Sequence, residues 1–401
     1  MDYAQHMSAP TPQKLRVGLI GYKFMGKAHS NAWRQVNHFF PELGARVELS
    51  AICGRDPAAV ERARETFGWQ RAETDWRKIV ASPEIDIVDI STGNDTHCEI
   101  ALAAFKAGKA VLCEKPLARN LPEARQMLAA ARRVGTVNMV CHNYRRIPAV
   151  ALAKQIVDSG ELGKNIRHFH ARYAQEWLVN TDFPLTWRMQ KHLAGSGAHG
   201  DIDAHIIDLG RYLLGEIKEV CGMMETFVKE RPLMEPGSVP PRPAPGGKKG
   251  KVTVDDAVSW IGRFENGAMA NLEATRFALG RKNHIAFEIN GDKGSLYFDF
   301  EDMNRLKFYS AADAQRRRGF TDIIVTDREV HPYARNWWPP GHILGYEHTF
   351  VNTFADFVAA VVAKTPVHPT FLDGARCLAV MEAVAESAVA RRWVKVPSIR
   401  N

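Results

Sequence analysis

The stretch KLRVGLIGYKFMGKAHS, residues 14–30, decides how the rest of the chain is read. It is an apolar run closed by Gly21, followed by a helical pattern from Lys27 to Val36. A chain that binds a dinucleotide places G-x-G-x-x-G between a strand and a helix in this way. Gly21 and Gly26 keep the outer spacing, but Lys23 stands where the middle glycine belongs. Gly21 suits the tight turn and Gly26 the close packing of helix on strand. The helix N-terminus then points free N–H groups at a pyrophosphate. A lysine keeps its N–H and adds bulk, so it fits with its side chain turned outward, either into solvent or with its ammonium beside the phosphates.

The motif gains weight from the chain downstream of it. VELSAIC (47–53), IDIVDIST (85–92), AVLCEKP (110–116) and VNMVCHNY (137–144) are β-rich runs. Amphipathic helical patterns over 58–67, 97–107 and 121–133 separate them. Short apolar strands alternating with helices mean βαβ units, hence a parallel sheet with helices on both faces. This Rossmann-type α/β domain is expected over 14–144, after a disordered lead over 1–13. The remainder, 145–401, reads as an α+β domain. Runs such as VTVDDAVSWIGRF, AMANLEATRF, HIAFEIN, GSLYFDF and RLKFYS succeed one another without helices, and ENG and NGDKG punctuate them as hairpin turns. They predict a large, open-faced, mostly antiparallel sheet, with a helix before it over 201–214 and two after it. The proline-rich stretch 231–247 is expected to be a long exposed loop.

Composition excludes several functions. Of the 401 residues 45% are apolar and 24% charged, which is a soluble globular balance. The apolar runs break well before the ~20 residues that span a bilayer. The formal charge of +8 is scattered. Its densest run, GGKKGK (246–251), lies in the proline-rich region without interleaved aromatics, so no nucleic-acid partner is expected. The six cysteines form no C-x-x-C pairs and mostly sit in apolar runs, which suits reduced thiols in a cytoplasm. Cofactor choice is read at the end of the second strand, in AICGRDP. An acid at Gly54 would bind the ribose 2′-hydroxyl of NAD. Gly54–Arg55 instead favours NADP, with NAD kept open, and Asp56 is left to cap the helix that Pro57 starts.

At CEKPLA (113–118) the chain resembles the Gfo/Idh/MocA oxidoreductase family. GLIG, FMGKAHS, IVDISTGNDTH, NYRR (143–146) and AGSGAHGDIDAHIIDLGRYL (194–213) agree with this, and the resemblance covers nearly the whole chain. Within the family the chain is most similar to the levoglucosan dehydrogenase-like sugar dehydrogenases, through DWR, NYRRIPAVALAK, WR-x-QK, VDD, EATR and FEI. Lys23, Gly54–Arg55 and an added HFFPELG before Val47 depart from the pattern. The resemblance implies hydride transfer between nicotinamide and a cyclic sugar or polyol, and a sheet that often forms oligomer contacts. By motif, Lys115, Asp201 and His205 fall on the family's catalytic positions. Candidate cofactor contacts are Gly21, Lys23, Phe24, Met25, Gly26 and Arg55 in the first half of the domain. In the second half they are Ser91, Thr92, Asn94, His97, Glu114, Lys115 and Asn143. The Lys115–Pro116 bond is often cis in such proteins.

These residue types suit oxidation of a secondary alcohol. Asp201 and His205 stand at i and i+4, on one helix face. His205, titrating near neutrality, suits a general base. Asp201 orients it or holds a neighbouring hydroxyl, and Lys115 stabilises developing alkoxide charge. Tyr144, Gln175, Trp177, Trp187 and Arg188 are candidates for lining a sugar site, since rings meet C–H faces and amides or guanidinium meet hydroxyls. WWPPGH (337–342) is either a substrate loop or packing. His199, Asp201, Asp203 and His205 are possible zinc ligands, but Asp203 is displaced around the helix and no metal is expected. Three functions stand: a sugar dehydrogenase, a keto-sugar reductase running the same chemistry backwards, and a non-catalytic sensor. Inositols and other polyols are alternative substrates.

Overall fold

The structure, a computed structural model, describes residues 12–238 and 240–400. Most of the expected lead thus lies outside the described residues, and Gln13 already belongs to the first strand. The first half runs β1 (Gln13–Ile20), α1 (Phe24–Phe39), β2 (Ala45–Cys53), α2 (Pro57–Phe67), β3 (Arg71–Glu73) and α3 (Trp76–Ala81). It continues through β4 (Ile87–Ile90), α4 (Asn94–Lys106), β5 (Ala110–Cys113), α5 (Leu121–Val134) and β6 (Asn138–Val140). The six strands make one parallel sheet in the order β3-β2-β1-β4-β5-β6. Every residue of β4 and β5 is buried, as central strands covered on both faces must be. Strand order reverses between β1 and β4, and the crevice beyond the carboxyl ends there is where such sheets take ligands.

The second half comprises α6 (Pro148–Asp158), β7 (Ile166–Ala174), α7 (Lys191–Ala194), α8 (Ala204–Leu214), β8 (Ile217–Glu225), β9 (Glu230–Pro232) and β10 (Lys249–Lys251). Then come β11 (Ala257–Phe264), β12 (Met269–Thr275), β13 (His284–Gly291), β14 (Gly294–Asp299), β15 (Arg305–Ser310) and β16 (Thr321–Ile324). The chain closes with α9 (Tyr346–Ala363), α10 (Phe371–Ala390) and β17 (Val394–Lys395). A nine-stranded sheet forms in the order β16-β15-β14-β13-β7-β12-β11-β8-β17, antiparallel except where β7 meets β12. Phe169, Leu272 and Phe287 share a core with Ile206 of α8 and Leu378 and Val384 of α10. On the other face β11 alternates Ser259, Ile261 and Arg263 outward, leaving that side of the sheet open.

Some elements differ from expectation. β3 and α3 were not expected, being too short to show a period. Helix α1 starts at Phe24 rather than Lys27, and α4 at Asn94 rather than His97; neither first turn has a side-chain cap to mark it. Asp56 caps α2 as expected, its carboxylate accepting from Ala59 N at 3.0 Å. The helix read over 201–214 opens with a π-turn, His199–Asp203, before α8, so Asp201 sits in a widened turn. The proline-rich region is not wholly open loop, because its flanks pair as β9 with β10. Helix α9 packs on α1, with Trp33 and Phe354 rings 4.4 Å apart, and so completes the core beneath the parallel sheet from the far end of the chain.

Candidate active site

The glycine loop is built as the sequence requires. Gly21 has φ +111°, and a Cβ there would lie 2.5 Å from Ser91 O. A Cβ on Gly26 would lie 2.2 Å from Gly21 O, so neither position admits a side chain. Lys23, by contrast, has φ −76°, a backbone any L-residue adopts, and its exposed side chain turns outward. The middle glycine is dispensable because the turn does not need left-handed backbone there. The Ser91 hydroxyl donates to Gly21 O at 3.2 Å and ties the loop to the end of β4. Phe24 is 66% exposed and Met25 half-buried at the open first turn of α1, where the first N–H groups have no helical partner. This cradle fits a dinucleotide pyrophosphate.

Beyond β5 the chain carries Lys115 on a fully partnered frame. Glu114 accepts the Lys115 N–H at 3.0 Å through one oxygen and meets His29 Nε2 at 3.0 Å through the other. His29 Nδ1 lies 2.9 and 3.0 Å from the two oxygens of Asp89, which also accepts from Trp33 Nε1 at 2.7 Å. Burial works against charge on His29, but Asp89, Cys141 and Glu114 raise its pKa well above the ordinary value, so the ring is an imidazolium between two carboxylates. Burial likewise opposes charge on Glu114, yet His29 and Lys115 keep its pKa low. His97 Nδ1 and Nε2 lie 3.1 and 3.3 Å from Pro116 O and Thr92 O, and Thr92 Oγ1 accepts from Thr96 at 2.7 Å. The Lys115–Pro116 peptide is cis. Asn94 donates to Ala194 O at 2.9 Å and Asn143 to Thr349 Oγ1 at 2.7 Å. His97, Asn94 and Asn143 thus engage protein atoms that join loops, which composition and spacing did not reveal.

Across the crevice stand Asp201 and His205. Lys115 Nζ donates to Asp201 O at 2.7 Å and lies 3.5 Å from Asp201 Oδ1. Burial opposes the charge on Asp201, but Lys115, Arg188 and Arg276 hold its pKa below the carboxylate value. His205 is buried, its ring 4.6 Å from that of Tyr144, and its Nδ1 has no hydrogen-bond partner among the described residues. It does not titrate near neutrality as expected: burial, then Lys115 and His142, push its pKa well below 6.5, so it is a neutral proton acceptor. Nor does Asp201 bond it. The π-turn directs the aspartate to Lys115 instead.

Tyr144, Gln175 and Trp177 of the expected sugar-lining residues join one hydrogen-bonded chain. Tyr144 and Tyr173 hydroxyls lie 3.0 Å apart, Tyr173 donates to Asn283 Oδ1 at 2.8 Å, and Gln175 reaches the same oxygen at 2.7 Å. Trp177 Nε1 donates to Gln175 at 2.9 Å. Arg188 stacks over Trp187 at 4.4 Å and has no ion pair among the described residues. Three members were missed: Tyr173, His142 and Arg276. Arg276 is wholly buried: Nη2 donates to Asp255 O at 3.0 Å, Nη1 lies 3.8 Å from Asp201 Oδ2, and Nε and Nη1 make no hydrogen bond among the described residues. The EATR motif contained it, but only the fold brings the end of β12 to the π-turn. The four possible metal ligands separate. His199 and Asp203 bond each other at 2.7 Å and reach Met381 O and Trp260, away from Asp201 and Lys115. Of WWPPGH, Trp337 is buried against Phe39 with ring centroids 4.4 Å apart, which is packing, and Trp338 is partly exposed.

Comparison with known proteins gives the family. Residues 15–142 match the oxidoreductase family with an NAD-binding Rossmann fold, and residues 150–297 match the GFO/IDH/MocA C-terminal domain. The chain is 43% identical to levoglucosan dehydrogenase of Pseudarthrobacter phenanthrenivorans over 390 residues, covering 96% of this chain and 99% of that protein. A solved levoglucosan dehydrogenase in complex with NADH and levoglucosan superposes with a TM-score of 0.91 at 42% identity, covering 96% of this chain and all of that one. An oxidoreductase domain protein from Kribbella flavida is 48% identical, with a TM-score of 0.90 over 96% of this chain and all of that one. The chain belongs to the Gfo/Idh/MocA family of NAD-binding oxidoreductases.

Proposed function

We propose that the protein is a nicotinamide-dependent dehydrogenase that oxidises a ring secondary alcohol of a sugar, anhydrosugar or glycoside to a keto product, with Lys115, Asp201 and His205 as its catalytic residues. The observation that carries this is the meeting of a lysine, a carboxylate and an unpartnered neutral histidine at the switch-point crevice. A bound nicotinamide supplies the hydride acceptor. His205, uncharged and with a free ring nitrogen, takes the hydroxyl proton. The Lys115 ammonium donates to the same oxygen as alkoxide charge develops, and Asp201 holds that ammonium in place. Tyr144, Gln175, Trp187 and Arg188 orient the ring. Similarity to levoglucosan dehydrogenase makes levoglucosan the first substrate to try. The cofactor preference we assign is NADP over NAD, from Gly54–Arg55.

The two-part division at residue 144, a homo-oligomer formed through the open sheet face, and a cytoplasmic setting for six unbonded cysteines belong to the same reading. Among the described residues no helix is long and apolar enough to cross a membrane. The test is steady-state turnover of levoglucosan, glucose, inositols and glycosides with either oxidised dinucleotide. Reduced nicotinamide should form with a sugar alcohol. If nothing forms in this direction but keto-sugars are reduced, the reductase reading replaces this one.

A further inference from the structure

We propose that Tyr22 and Gly54 form a selectivity gate for the 2′-phosphorylated dinucleotide, with Arg55 and Arg62 as its phosphate ligands. This rests on the dinucleotide reading of the glycine loop and deepens it. In a sheet of this strand order the adenosine ribose lies at the carboxyl end of β2, where an acidic side chain takes the 2′-hydroxyl. Gly54 occupies that end, held by its N–H donating to Glu73 O at 3.0 Å. A Cβ at Gly54 would stand 2.1 Å from both Cδ1 and Cε1 of Tyr22. The partly buried Tyr22 ring packs against the core beneath β1 and β2. The space an aspartate or glutamate would need is therefore filled by a tyrosine from the loop itself.

The nearby acids are otherwise engaged. Asp56 caps α2 through Ala59 N at 3.0 Å. Glu73 accepts from Arg71 at 2.8 Å, with Lys78 at 3.8 Å. The cations are not engaged: Arg55, at the start of the β2–α2 turn, and Arg62, on α2, are exposed and have no ion-pair partner among the described residues. Both act on the Tyr22 hydroxyl, whose pKa is raised by burial and by Asp56 and drawn down by Arg55 and Arg62. One phenol and two guanidinium groups beside a strand end that cannot carry an acid make a site for a phosphate dianion. The planar fork of arginine matches its oxygens.

The experiment is titration of the full-length protein with NADPH and, separately, with NADH, monitored by nicotinamide fluorescence. NADPH should bind tighter by roughly 10- to 100-fold at low salt, the span of one or two charge-assisted hydrogen bonds, and the gap should narrow as salt rises. Arg55→Gln and Arg62→Gln should each lower the NADPH-to-NADH affinity ratio. The double variant Tyr22→Ala/Gly54→Asp should invert it, and measurable NADH binding by each variant reports that it is folded. A wild-type ratio at or below one overturns the gate, as does a ratio that neither arginine variant moves. Binding of neither dinucleotide overturns the reading of the loop itself, and the gate with it.

Discussion

The two sides of the crevice are built on opposite terms. Beneath Lys115, His29, Asp89, Glu114 and Trp33 form a buried network whose polar atoms find one another within 3.0 Å. Opposite, around Asp201, buried ring and guanidinium nitrogens are left without a hydrogen bond among the described residues: Nδ1 of His205, and Nε and Nη1 of Arg276. Folded proteins rarely leave such atoms unpaired, since each costs about 1–3 kcal/mol. The satisfied side is a frame, and the unsatisfied side is where, under the proposed function, a substrate's hydroxyls would complete the hydrogen bonding. In that division, stability and reactivity reside in different residues a few ångströms apart.

Substitutions on the two sides should therefore fail in different ways. The largest loss is expected at the junction: Lys115→Met should lower kcat by about 10³-fold while dinucleotide binding in a fluorescence titration persists. His205→Asn should cost roughly 10²- to 10³-fold in kcat, the span of a positioned general base. In the wild type, the acid limb of kcat/KM should lie below pH 6.5, because the His205 ring is already neutral there. A limb centred at or above 6.5 would assign the base elsewhere.

On the frame side, His29→Ala should leave two carboxylates buried without their cation and lower unfolding stability by about 3–5 kcal/mol in urea. The sign with pH is set by the raised pKa of His29. Its contribution is full below the unfolded value of about 6.5 and is lost as the pH climbs through the folded value. The deficit of the variant should thus narrow in alkali. The smallest effect sharpens the contrast. Arg276→Met should lower kcat/KM by about tenfold, as for one lost hydrogen bond to substrate, with only a small fall in the urea midpoint, because the guanidinium is tied to the fold by Nη2 donating to Asp255 O at 3.0 Å while Nε and Nη1 make no hydrogen bond among the described residues. A large loss of stability there would make Arg276 part of the frame.

Much of the fold is legible in the sequence. The parallel sheet is written in alternating β and helical runs, and the position of Lys115 in a strand end closing on E-K-P. What escaped was long-range or local in ways that spacing does not report. Lys23 was a puzzle only because φ at that position is not written in the residue name. Asp201 and His205 at i and i+4 implied a helical pair, but one π-turn sends the aspartate to Lys115. Arg276 and Tyr173 enter from β12 and β7, whose distance from the motifs in sequence hides their proximity. His97 and Asn94 carry motif weight for a cofactor, and the carbonyls they also bond, Pro116 O and Ala194 O, lie far from them in the chain, which spacing does not report.

The measurement closest to the central claim is turnover of levoglucosan and related ring alcohols by the wild type, Lys115→Met and His205→Asn, with NADP and NAD, read by absorbance of the reduced nicotinamide. The account predicts sugar-dependent reduction by the wild type and its near-abolition in both variants, each still binding dinucleotide. Turnover that survives in either variant at close to the wild-type rate would contradict it.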